Sequence, residues 1–126
     1  MEMIYTDKAP AAVGPYSQAV KANGFVFTSG QIAIDPATNT VLEGDIKVQA
    51  KRVMENLKVV LEAAGTDFNH VVKSVCFLAD MGDFASFNEI YGSYFTETKP
   101  ARSCVAVKTL PKNVIVEVEL IAVEKA

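Results

Sequence analysis

Residues 46–64 place Ile46, Ala50, Val53, Leu57, Val60, Leu61 and Ala64 at steps of three and four. That spacing predicts one amphipathic helix with a single apolar face. Asp45 stands where a side chain can cap it, and Gly65 where a left-handed residue can end it. A second stripe, Phe84, Phe87, Tyr91 and Phe95, predicts another helix behind Asp83, with Asn88 beside the stripe. Elsewhere the apolar positions alternate. Residues 3–5 predict a short edge strand. Residues 17–22 and 25–28 flank Asn23-Gly24, the dipeptide of a tight hairpin. Ser29-Gly30 interrupts the second of these strands, and Ile32 and Ile34 resume it ahead of the turn-rich DPATNT. Residues 71–78, 101–107 and 114–123 predict three more strands, the last two joined by a loop at LPKN, 110–113. Residues 9–16 read as loop from their Pro and Gly content.

Strands, helix, strand, helix, strands in that order predict an α+β fold: a single mixed sheet with two helices packed on one face. The last strand carries aliphatic residues on both faces, with Ile115, Glu117, Glu119, Ile121 and Val123 opposite Val114, Val116, Val118, Leu120 and Ala122. Two helices cover one face only, so the other is expected to meet another subunit.

Composition narrows the function. A chain of 126 residues suits one domain, spanning 1–126, with a core that needs no staples. No apolar run approaches a membrane span, and the first residues do not read as a signal or transit peptide, so a soluble cytoplasmic protein is expected. His70 is the only histidine, and Cys76 and Cys104 lie far apart, which disfavours a metal site within one chain and any triad needing a second imidazole. A net charge of −3 disfavours a broad nucleic-acid surface.

The chemistry gathers at KPARSCVAV, residues 99–107, where Arg102 interrupts what reads as a buried strand. A charge there needs compensation. If the strand pairs with the last one, Glu117 or Glu119 could supply it as an ion pair. Otherwise the guanidinium waits for a ligand carboxylate, which its planar fork suits better than a lysine.

Four segments, APAAVGPYSQAV (9–20), FTSGQIAIDP (27–36), KPARSCVAVKTLP (99–111) and VIVEVELIAV (114–123), together resemble the Rid (YjgF) family of reactive intermediate deaminases, in its RidA branch. The resemblance implies a chorismate-mutase-like fold, a homotrimer and sites in clefts between subunits. It implies hydrolysis of 2-aminoacrylate, 2-aminocrotonate and related 2-imino acids to 2-oxo acids and ammonia, with no metal or organic cofactor. By motif, Arg102 would clamp the substrate carboxylate and Glu117 would polarise the attacking water, with Glu119 structural. Gly30 would offer its backbone N–H beside Ser29, Tyr16 and Asn88 would wall the pocket, and Cys104 would contribute its backbone. Tyr16 as a loop-end plug and Asn88 as a structural hydrogen-bonder remain open alternatives. Cys104 has no histidine or lysine placed to make it a nucleophile. Other readings within the family are RNA cleavage, chaperone-like action, and a non-catalytic sensor of 2-oxo acids or amino acids.

Overall fold

A computed structural model describes residues 1–126. Asp45 caps the first helix as expected: its carboxylate accepts from the Val48 N–H at 3.0 Å, opening α1, Ile46–Ala63. Gly65 then takes φ +80°, the left-handed turn that stops it. All seven residues of the predicted apolar face are buried. The second helix, α2, Phe84–Gly92, differs at its start. Asp83 occupies the cap position without a side-chain bond, because a 3-10 turn at Met81–Asp83 precedes the helix and is capped instead by Asp80, which accepts from the Gly82 N–H at 2.8 Å. Phe87, Tyr91 and Phe95 are buried, and Phe84 is half-buried.

The strands are β1, Glu2–Ile4; β2, Ala19–Ala22; β3, Phe25–Thr28; β4, Ile34–Asp35; β5, Thr40–Val41; β6, Val71–Leu78; β7, Ala101–Ala106; and β8, Val116–Val123. Asn23 and Gly24 turn β2 into β3 with positive φ at both positions, as the hairpin signal requires. The main sheet is six-stranded, in the order β1-β2-β3-β8-β6-β7. It is mixed: β6 and β7 run parallel and the other pairs antiparallel. Both helices lie on one face: α1 packs against the inward-facing Val116, Val118, Leu120 and Ala122 of β8, and α2 packs against α1 and reaches β6 through Tyr91 and Ser74.

Two expectations change. The segment around Ile32 and Ile34 does not simply resume β3. Only Gln31 bridges to Val118, and β4 pairs with β5 as a separate two-stranded sheet. Nor is the Arg102 strand buried. It is the sheet edge, with Ala101, Ser103, Val105 and Ala106 all exposed. The far face of the sheet carries exposed Phe25, Phe27 and Val105 around half-buried Val75, Phe77, Ile121 and Val123. No helix is long and apolar enough to cross a membrane.

Candidate functional site in two halves

The sheet order decides where the charged residues meet. Strand β6 lies between β7 and β8, so the Arg102 strand does not pair with the Glu117 strand. Faces separate them further. Arg102 is in register with Ser74, which opposes the inward-facing Leu120. Glu117 opposes Phe77 and Glu119 opposes Val75, both on the far face. The expected approach of a carboxylate to Arg102 within one chain therefore does not occur, and Arg102 forms no ion pair.

The first half is built around Gly30. The β3–β8 ladder breaks after Phe27: Thr28 accepts from the Leu120 N–H through its hydroxyl at 2.9 Å, and backbone pairing returns only at Gln31, whose N–H meets the Val118 carbonyl at 2.9 Å. Ser29 is tied back to the preceding loop, its hydroxyl donating to the Ser17 carbonyl at 2.6 Å. Gly30, between them, has an N–H with no partner in the chain. The Glu117 side chain lies over it so closely that an added Cβ would stand 2.8 Å from the Glu117 Cδ. Only glycine leaves room for that carboxylate. Ser29, Gly30, Glu117 and Tyr16 line one cavity of about 430 Å³, with Lys112 at its wall. Burial, and secondarily the Glu119 carboxylate, push the Glu117 carboxyl above its ordinary value. No side chain donates to it. The Tyr16 loop is pinned by Gln18, which is buried: its amide oxygen accepts from the Thr6 N–H at 2.7 Å, and its NH₂ donates to the carbonyls of Thr6 and Pro10.

The second half surrounds Arg102. Nη1 donates to the Asn88 side-chain oxygen at 2.7 Å. The guanidinium carbon lies 4.9 Å from the Tyr91 ring centroid and 5.3 Å from that of Phe84. Such contacts hold a cation by ring quadrupoles and leave its charge uncancelled. Tyr91 is itself fixed by a 2.6 Å hydrogen bond between its hydroxyl and that of the fully buried Ser74. A cavity of about 440 Å³ opens beside Arg102 and Asn88, and Lys99 also lines it. Cys104 is half-buried two residues along the edge. Burial raises its thiol above the ordinary value while Arg102 pulls the other way.

Of the seven residues singled out in the sequence, the fold thus groups Tyr16, Ser29, Gly30 and Glu117 on one side and Asn88, Arg102 and Cys104 on the other. The endoribonuclease L-PSP family model matches residues 6–124. The chain belongs to that family, the Rid (YjgF) family. It is 58% identical to a RutC family protein of Synechocystis, over 98% of this chain and 96% of that one. It is 49% identical to the 2-iminobutanoate/2-iminopropanoate deaminase of Salmonella typhimurium, over 97% of each. Among solved structures, Escherichia coli TdcF with bound serine superposes with a TM-score of 0.94 at 43% identity, covering 99% of this chain and 100% of that one. The Rid fold, two helices on a mixed sheet, is therefore this chain's fold.

The sequence reading missed Gln18, Ser74, Tyr91 and Lys99. Gln18 sits inside the GPYSQA block and Tyr91 in the aromatic stripe, where each read as part of a pattern rather than as a support for the site. Ser74, a lone hydroxyl in an apolar strand, was the available signal for a buried polar contact.

Proposed function

We propose that this Rid protein hydrolyses 2-imino acids, formed from enamines such as 2-aminoacrylate, to 2-oxo acids and ammonia at clefts between the subunits of a homotrimer. One observation carries the reading. The chain holds an unpaired, rigidly seated guanidinium and an unpaired carboxylate beside a free glycine N–H, on opposite faces of one sheet. Arg102 stands on an edge strand, and the Glu117 face is apolar and exposed. A second copy laid on that face can bring its own Arg102 edge to the Glu117 cavity.

The chemistry asks little of such a site. Arg102 takes the substrate carboxylate through two parallel N–H donors, and the Gly30 N–H completes its coordination. Glu117, with its raised carboxyl, accepts a proton from water as the oxygen bonds to the imine carbon, and the imine nitrogen gains that proton. The adduct's hydroxyl then gives up its proton, which the amino nitrogen takes through Glu117, the C–N bond breaks, ammonia leaves, and the carbonyl of the 2-oxo acid forms. Names among its relatives support this, since the Salmonella protein is called a deaminase. The RNase reading has less to stand on. The one histidine, His70, is bonded to Asp67 at 2.6 Å in a turn that lines neither cavity.

The decisive experiment mixes two inactive variants. Arg102→Ala and Glu117→Ala should each abolish turnover of 2-aminoacrylate generated in situ. After subunit exchange, mixed trimers contain clefts with both residues intact, and activity should return. Failure to recover, with exchange verified by mass, would show that the two halves do not meet between subunits. A protein that binds 2-oxo acids yet never turns substrate over would be a sensor.

A further inference from the structure

The cavity beside Arg102 holds a second cation. Lys99 lines it, and its ammonium donates to the Phe95 backbone carbonyl at 3.3 Å. That leaves two of its three N–H donors unused. Lys99 forms no ion pair, and no Asp or Glu lines the cavity. The acids nearest in sequence are committed elsewhere: Glu97 accepts from the Asn69 amide at 3.1 Å, and Glu89 pairs with Lys47 at 2.7 Å. Arg102 spends one donor on Asn88 and none on a carboxylate. In the proposed cleft the second copy adds one carboxylate, Glu117, and one further cation, Lys112, so with Arg102 and Lys99 around about 440 Å³ the cleft still holds more positive charge than a monocarboxylate cancels.

We propose that Lys99 forms a second anion subsite, so that the protein prefers 2-imino acids bearing a further carboxylate on the side chain, and their 2-oxo diacid products. The proposal rests on the deaminase reading for the reaction, but its observations are those of Lys99. The 2-carboxylate goes to the planar fork of Arg102. The side-chain carboxylate goes to Lys99, whose flexible stem can follow diacids of different length. The distal group takes no part in the hydrolysis, in which water supplies the carbonyl oxygen and ammonia leaves.

Calorimetric titration with 2-oxobutanoate and 2-oxoglutarate tests it, using the wild-type protein, Lys99→Met and Lys99→Arg. A charge-assisted hydrogen bond corresponds to roughly ten- to a hundredfold in affinity. The wild type should prefer 2-oxoglutarate by about tenfold or more, and the preference should shrink with added salt. Lys99→Met should bring the ratio close to unity, and Lys99→Arg should keep part of it. A wild type without preference, or a Lys99→Met protein that keeps it, overturns the subsite. Wild-type turnover of 2-aminoacrylate is measured on the same samples. Turnover without diacid preference overturns the subsite alone. Lys99-dependent diacid binding without turnover overturns the deaminase reading and supports the subsite. Neither binding nor turnover overturns both.

Discussion

Arg102 and Glu117 are each costly as they stand, and each makes a prediction that separates a working residue from a structural one. Arg102→Lys keeps the charge but loses the fork. Losing one charge-assisted hydrogen bond in the transition state should slow turnover by about one to two orders of magnitude while the fold persists, read by circular dichroism beside the assay. Gly30 has no left-handed φ, so alanine fits its backbone, yet the new Cβ displaces the Glu117 carboxylate. Gly30→Ala should leave the protein folded and lower kcat by about a hundredfold, the scale of an ångström's misplacement. An active Gly30→Ala protein would argue against Glu117 as the water's partner. Glu117 also predicts a pH dependence. Its carboxyl is raised by burial first and Glu119 second, so the folded state disfavours the ionised form. The penalty is absent below the unfolded-state value, grows as pH rises past it, and is complete above the folded-state value. In a chain kept monomeric by Phe27→Glu, Glu117→Gln should therefore raise Tm at about pH 7–8 and leave it unchanged at about pH 3. In the proposed trimer, where Arg102 of a second copy reaches the Glu117 cavity, the same substitution should give no gain or lower Tm at neutral pH.

At the scale of elements, α1, the β2–β3 hairpin and β6 were legible because each carries its own local signal: a 3.6-residue stripe with caps, an Asn-Gly turn, an apolar run bounded by polar turns. Asp83 misled because two acids stand three residues apart, and the one that accepts a backbone N–H is decided by the intervening 3-10 turn. The Arg102–Glu117 pairing misled for a different reason. Alternation assigns faces within a strand but says nothing about which strands are neighbours, and here β6 enters between β7 and β8. The same blindness hid Ser74 and Tyr91, which join β6 to α2 beneath Arg102. Tyr91→Phe should strand a buried Ser74 hydroxyl and cost about 1–3 kcal/mol in urea unfolding, whereas the double variant with Ser74→Ala should cost less than the single one. If the hydroxyl pair also steadies the guanidinium, KM for the imino acid should rise in the single variant.

For the whole molecule, the proposed trimer makes the far face of the sheet its assembly surface. Phe25, Phe27 and Val105 each expose two-fifths or more of their surface there. Phe27→Glu should give a folded monomer by sedimentation equilibrium, with deaminase activity lost though no site residue has changed. A trimer that survives this substitution would place the interface elsewhere. Strand β7 also bounds the sheet, and its edge groups are open to pairing with any extended chain. Pro100 closes one end of that edge, Lys108 flanks the other, and Arg102 is the only charge along Ala101–Ala106. Without Arg102 the run becomes an uncharged stretch of small residues and one valine, with no charge left on the edge to oppose edge-to-edge growth. That gives Arg102 a second proposed task, guarding solubility, beside the proposed binding of a substrate carboxylate. On heating at equal concentration, Arg102→Ala should scatter light sooner than Glu117→Ala even when the two unfold at the same temperature.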